Sequence, residues 1–312
     1  MTDHASQSVL VIGAAGLDIK GLASGEILPG TSNAGRVRRS LGGVARNIAE
    51  NLARLDVPVT LLTAVGDDEG GQQILDHAAR CGIDATHSLV VKGGRTGAYL
   101  AVVDEGGSLS VAIHDMGIVE SITPRVLNNH RRLFAEASML VIDANLGPAA
   151  LETVFSLAAK NKLPVCADPT STALTDRLCP YLRQLHLVAP NTAEAAVLTD
   201  RPVAHTQDEA LDAARELVAR GVDIAILTLG DQGSAYATPE ESGLVPAMRV
   251  EIVDPSGAGD ALTAATIFAT LNDIPVHEAV RLGIAAASLT LQSRESVRPD
   301  PTLEKLYAQL AA

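Results

Sequence analysis

Residues 254–260 read Asp-Pro-Ser-Gly-Ala-Gly-Asp, and a run rich in small residues, Ala261 to Ala269, follows at once. The stretch ends a β-like run, Ala247 to Val253, and opens a helix. The first amides of a helix have no intrahelical acceptor and sit at the positive end of its dipole. Gly257, Ala258 and Gly259 can therefore offer bare donors to an anion. Asp260 puts a carboxylate beside them. Phosphoryl transfer to an alcohol needs both parts: donors for the migrating charge and an acceptor for the hydroxyl proton. In isolation the same residues also describe a glycine-rich helix start with Asp as a cap.

Other polar residues fall where an α/β chain places chemistry. Gly42-Gly43-Val44-Ala45-Arg46-Asn47 opens a helix; its two glycines allow a ligand close to the backbone, and Asn47 offers an amide to vicinal hydroxyls. Asp18, shortly after the first strand, reads either as an acceptor for two sugar hydroxyls or as a loop cap. Asn191-Thr-Ala-Glu194 is a capping box in form, and it also suits a metal–triphosphate group, with Glu194 acting through magnesium-bound water. Thr228-Leu229-Gly230-Asp231-Gln232-Gly233 is a glycine-rich turn after a strong strand, the end of an α/β sheet where ligands bind. Asp143, Asn145 and Asp168 also sit at strand C-termini. The eight His residues show no metal-ligand spacing.

The elements that must position these residues alternate between short apolar runs and amphipathic helical patterns, which predicts βαβ units and a parallel sheet. Strands are expected at Val9–Gly13, Val59–Val65, Met139–Asp143, Val165–Asp168, Leu187–Ala189 and Ile224–Leu229. Helices are expected at Gly43–Leu55, Gly70–Cys81, near Ala149–Lys160, Leu174–Leu182 and Asn191–Leu198, from Thr206 to Arg220, and near Ala258–Leu271 and Val276–Leu291. Two segments break the rhythm. Gly16–Leu41 carries the basic alternation Arg36-Val37-Arg38-Arg39, which reads as a solvated strand face or a surface for an acidic partner. Thr96–His114 reads as a hairpin turning at Asp104–Gly107. Together they are expected to form a small sheet, a lid over one edge of the site.

The 312 residues suffice for one α/β domain with a small appendage. A net charge of −13 argues against a nucleic-acid backbone as partner, and 2% aromatics leave few stacking platforms. No apolar stretch approaches membrane-spanning length. Cys81, Cys166 and Cys179 are odd in number and unpaired in spacing, which fits a cytoplasmic chain whose cysteines fill the core.

Taken together, these pieces resemble the ribokinase-like, PfkB-type carbohydrate and nucleoside kinases. Gly42–Asn47 with Ala64-Val65-Gly66-Asp67-Asp68 is similar to one family signature, residues 254–260 to the other, and the two intermediate motifs fall in order between them. The resemblance covers nearly the whole chain and implies a three-layer αβα sandwich with a β-sheet lid, using ATP and Mg2+. It implies Asp260 as base and Gly257, Ala258 and Gly259 as the anion hole. It implies Asp18, Gly42, Gly43 and Asn47 as sugar contacts. Asn191, Glu194, Thr228, Gly230 and Gly233 would lie on the nucleotide side, and Asp254 and Ser256 in a monovalent-cation (K+) site. Pro255 departs from the Thr of many members. Within the family the chain most resembles the pseudouridine kinases, on Gly42–Leu55, Val111–Met116 and Asp143-Ala144-Asn145, with His114 where those enzymes often carry Asn. Thr96, Asp115 and Asn145 would then meet the nucleoside. Some relatives pair through the lid, so a homodimer is a further expectation. A dinucleotide-binding oxidoreductase, suggested by Gly13-Ala14-Ala15-Gly16, lacks the full glycine pattern. A non-catalytic nucleoside-binding protein would not need Asp260.

Overall fold

The computed structural model describes residues 7–106 and 108–311. The run Val9–Ile12 (β1) is apolar throughout and at most 1% exposed, as a strand covered on both faces must be. The chain then leaves for β2 (Gly16–Ala23) and β3 (Gly35–Gly42) and returns through α1 (Val44–Arg54) to β4 (Val59–Leu62). There follow β5 (Ala64–Gly66), α2 (Glu69–Arg80), β6 (Leu89–Val91) and the hairpin of β7 (Gly97–Val103) and β8 (Leu109–Asp115). Short helices α3 (Pro124–Asn129) and α4 (Arg131–Glu136) lead to β9 (Met139–Asp143). The alternation continues with α5 (Pro148–Asn161), β10 (Val165–Asp168), β11 (Leu187–Val188), α6 (Thr192–Thr199), α7 (Gln207–Ala219) and β12 (Ile224–Thr228). A second hairpin, β13 (Ser234–Ala237) and β14 (Ser242–Val245), precedes α8 (Ala258–Leu271), α9 (Val276–Leu291) and α10 (Leu303–Ala311).

The main sheet has the order β14-β13-β12-β11-β10-β9-β1-β4, and every pairing from β12 to β4 is parallel. Strand alternation sorts its side chains into two apolar layers. Leu10, Ile12, Leu140 and Ile142 pack with Leu151 and Phe155 of α5; Val9, Val11, Met139 and Val141 pack with Ile48 of α1 and Leu262 of α8. The result is a three-layer αβα sandwich. No helix is long and apolar enough to cross a membrane among the described residues.

The lid is a separate four-stranded sheet, β3-β2-β7-β8, with β2 and β7 parallel and antiparallel partners outside them. Its register puts Asp18, Lys20, Arg38, Tyr99 and His114 on one face. Val37, Leu100, Val111 and Ile113 lie on the other, and all four are exposed.

Several sequence expectations need correction. Ala247–Val253 alternates like a strand but is not one; instead of a sheet edge it meets the end of α9, where the Val253 N–H donates to the Leu291 carbonyl at 2.8 Å. Leu174–Leu182 is not an α-helix but part of a 3-10 stretch, Thr175–Gln184, because Pro180 cannot continue α-helical pairing. Val59–Val65 is broken at Thr63, whose hydroxyl donates to the Gly13 carbonyl at 2.7 Å. Of the expected lid turn, Gly107 lies outside the described residues. Only Cys166 is a core filler; Cys81 is half-buried and Cys179 exposed.

Candidate active site

Chain order reverses beside β1, which has β4 on one side and β9 on the other, and open α/β sheets bind ligands at such reversals. Asp143 ends β9 there, fully buried. Its carboxylate accepts N–H bonds from Ala14 (2.8 Å), Ala45 (3.1 Å) and Asn145 (3.0 Å), and a side-chain bond from Asn145 (3.0 Å). Burial raises its pKa against those donors. Asp143 thus ties the end of β1, the start of α1 and the loop after β9 into one frame.

The two glycines before α1 serve that frame. Gly43 caps the helix at φ +93°, and a Cβ there would collide with the backbone of Ala14 and Ala15. A Cβ on Gly42 would occupy the Asp18 carboxylate. Their close neighbours are the protein's own atoms.

One turn into α1, a relay runs toward α8. Buried Glu50 pairs with Arg46, whose guanidinium also donates to the carbonyls of Gly42 (3.2 Å) and Leu41 (3.0 Å) and to Asn47 Oδ1. A guanidinium only donates, so the Asn47 amide oxygen must face it and the NH2 must face away. Asn47 Nδ2 then donates to Asp260 Oδ2 at 2.6 Å. Burial pushes Asp260 up to about 7; Asn47 and Arg46 oppose the shift, and Asp18 and Asp143 add to it.

Asp260 belongs to the first turn of α8. That helix begins at Gly257 in the left-handed region, φ +79°, where any Cβ would strike the Ser296 carbonyl. Its first paired amide is that of Ala261, to the Gly257 carbonyl at 2.9 Å; those of Ala258, Gly259 and Asp260 have no protein acceptor among the described residues. Gly259 has no heavy atom near its would-be Cβ. The helix start is an open set of donors with a carboxylate of raised pKa beside it. Asp18, on β2, accepts from Ser296 Oγ at 3.1 Å; burial raises it too, against Ser296, Arg46 and Lys20.

On the other side, Asn191 and Glu194 form the complete capping box of α6. Asn191 Oδ1 accepts the Glu194 N–H at 3.0 Å, and Glu194 Oε2 accepts the Asn191 N–H at 2.9 Å. Burial raises Glu194. Asp168 stands well above the carboxylate range, through burial first and then the charges of Asp260, Glu194 and Asp143. Asn191 bridges to Thr228 at the end of β12. Gly230, at φ +60°, faces open space; Gly233, at φ +97°, is forced by the β14 backbone, which a Cβ would hit.

Three lid and cation expectations meet different surroundings. The Thr96 hydroxyl donates to Asp68 and accepts the Gly66 N–H at 3.0 Å, which ties it to the turn before α2. Asp115 lies on the outer lid face. Its neighbour His114 reaches the core, with Nε2 3.1 Å from Asn145 Oδ1. Asp254 and Ser256 hold lid side chains, Lys20 and Arg38. Sequence reasoning missed Lys20, Arg38, Arg46 and Ser296. Arg46 lay inside a motif already singled out, whereas Lys20 and Ser296 sit in no pattern. Glu50, His77 and Cys81 also converge within ligating range, but the guanidinium groups of Arg46 and Arg54 already neutralise Glu50.

The chain matches the pfkB family carbohydrate kinase profile over residues 6–303. It belongs to that family. The pseudouridine kinase of Escherichia coli (strain K12) is 32% identical over 301 residues, covering 96% of this chain and 95% of the relative. The guanosine-inosine kinase of Exiguobacterium acetylicum is 27% identical, covering 92% and 95%. Arabidopsis thaliana ribokinase, solved with ribose and ATP, superposes with a TM-score of 0.84 over 98% of this chain and 99% of that one; at 22% identity this likeness is one of fold. The ribokinase-like sandwich read from the sequence is thus the observed one, and the chain is an ATP-dependent sugar or nucleoside kinase of the PfkB type.

Proposed function

We propose that this kinase transfers the γ-phosphoryl group of ATP to the 5′-hydroxyl of a nucleoside, pseudouridine before others. The observation that carries the chemistry is the Asp260 carboxylate, held by Asn47 at 2.6 Å beside the unpaired amides of α8. Asp260 takes the proton of the attacking hydroxyl, and the amides of Ala258 and Gly259 bind the charge that develops. Glu194 and Asp168 are oxygen donors that suit Mg2+, and the ion, when bound with ATP, neutralises phosphate charge. Asp18 accepts from the sugar hydroxyls, and the lid excludes water.

The pseudouridine reading is supported by the match along nearly all of both chains to the Escherichia coli enzyme. It is also supported by the His114–Asn145 pair, which sets a donor–acceptor edge where the lid meets the core. A free pentose is the second reading, supported by 26% identity over 265 residues to the ribokinase of Haemophilus influenzae (strain ATCC 51907 / DSM 11121 / KW20 / Rd). Steady-state rates with ATP and magnesium against pseudouridine, uridine, guanosine, inosine, adenosine and ribose separate the two. The expected order puts pseudouridine first in kcat/KM; ribose alone reacting would move the assignment to the sugar.

The exposed row of Val37, Leu100, Val111 and Ile113 also supports a homodimer closed by the outer lid faces. Light scattering is expected to give twice the chain mass, and Ile113→Lys with Val37→Lys to give the monomer. A monomeric parent protein would contradict the dimer.

A further inference from the structure

The Asp254 carboxylate lies at the foot of α8 and is 7% exposed. Both its oxygens accept from Lys20 Nζ at 2.7 Å, and Oδ2 also accepts from Arg38 Nη2 at 3.1 Å. Lys20 donates in addition to Ser256 Oγ at 3.0 Å, and Arg38 to the carbonyl of Arg294. The Ser256 N–H donates back to Asp254 Oδ1 at 2.9 Å. Burial alone would raise Asp254, but the Lys20 ammonium and the Ser256 donors hold it below the ordinary carboxylate range.

These are the carboxylate, hydroxyl and carbonyl oxygens that a monovalent cation would need, and two protein cations already use them. A third positive charge would meet both at short range, at a carboxylate whose two oxygens already accept four hydrogen bonds. The residues at Asp254 therefore do not fit a bound potassium ion.

We propose that Lys20, assisted by Arg38, supplies from the lid the positive charge that the loop 254–257 requires, so that this kinase works without a monovalent cation. Lys20 is a positioning residue: it acts through Asp254 and Ser256 on the start of α8. It shares a lid face with Asp18, so the strand that presents the acceptor-binding carboxylate also fastens the phosphoryl-binding loop. A cavity of about 810 Å³ beneath the lid is lined by Lys20, Tyr99 and Ala101 on one side and by Asp254, Pro255 and Ser256 on the other. The inference rests on reading the α8 N-terminus as the phosphoryl site, and not on which alcohol is phosphorylated.

The test compares the full-length protein in potassium, sodium and tetramethylammonium chloride at matched ionic strength, by thermal melting and by rate with ATP and magnesium. The parent protein is expected to melt within about 1 °C in all three salts, since no specific ion adds binding energy, and to keep its rate within about twofold. Lys20→Met is expected to lose at least about tenfold in rate and to gain a potassium-specific rise in Tm; Lys20→Arg, which keeps the charge, remains indifferent to potassium. A potassium-specific rise in Tm or rate in the parent protein would overturn the proposal, and that comparison needs no variant to fold. A Lys20→Met protein that responds to no cation would also overturn it. Absence of phosphoryl transfer in every salt would count against the kinase reading, while melting would still decide the cation question.

Discussion

Asp260 is ionised at a cost. Burial pushes its carboxyl up to about 7, with Asp18 and Asp143 adding like charge, and the Asn47 N–H is the protein's main compensation. A general base works only when deprotonated. The rate of the free enzyme, kcat/KM, should therefore rise with pH through about 7 and level off above it. Asn47→Ala removes a donor to the charged form, so its midpoint should lie higher than the parent's. A pH–rate series on the two proteins checks this; a midpoint at the ordinary carboxylate value of about 4 in both would contradict it. The environment of Asp254 is the converse: Lys20 and Ser256 outweigh burial and keep it charged. Two carboxylates in one short segment are thus set apart by what surrounds them, which residue type alone does not reveal.

At the scale of elements, α8 shows what the sequence carried. Its start, its length and its first-turn Asp were legible because glycines, small residues and an acid each have a local reason to be there. What lay beyond reach was every contact made across the chain. Gly257 is glycine because the Ser296 carbonyl, on a segment no pattern marked, presses against it. Gly42 and Gly43 looked like room for a ligand, and a Cβ on either would also meet Asp18 or Ala14, contacts across the chain that no local pattern showed. Ala247–Val253 had a strand's alternation but ends against the last turn of α9, while the β13–β14 hairpin, short and built of small residues, gave little periodic signal. The glycines of α8 make the distinction testable. Gly257→Ala must hold φ +79° and displace Ser296, so it should lose at least about 1 kcal/mol of stability. Gly259→Ala meets nothing within the protein and should melt like the parent, yet it places a methyl group at the open amides and should lower the transfer rate. Denaturation and kinetics on the pair decide this; equal losses of stability would contradict the assignment of Gly259 to the ligand side.

The whole molecule works by convergence. Asp18 comes from the lid, Asn47 from the first helix after it, Asp143 and Asp168 from strand ends and Asp260 from a late helix, and the strand order reverses beside β1, between the strand that leads to Asp18 and the one that ends in Asp143. The lid is fastened to the core by Lys20 and Arg38 on Asp254, by Asp18 on Ser296, and by His114 on Asn145. Family and fold were legible because two signatures and two intermediate motifs recur in order along the chain. The acceptor was less so: the Thr96 hydroxyl is bonded to Asp68 and Gly66, and Asp115 lies on the outer lid face, so neither singles out one alcohol. The claim on which all else depends is that the α8 amides and Asp260 together move a phosphoryl group from ATP to an alcohol. The most direct measurement follows labelled γ-phosphate into the product, comparing the parent protein with Asp260→Asn at equal occupancy of both substrates. One labelled phosphate ester per ADP is expected in the parent, and turnover lower by roughly 10²–10⁴ in the variant with KM little changed. Equal turnover in the two proteins would contradict that claim.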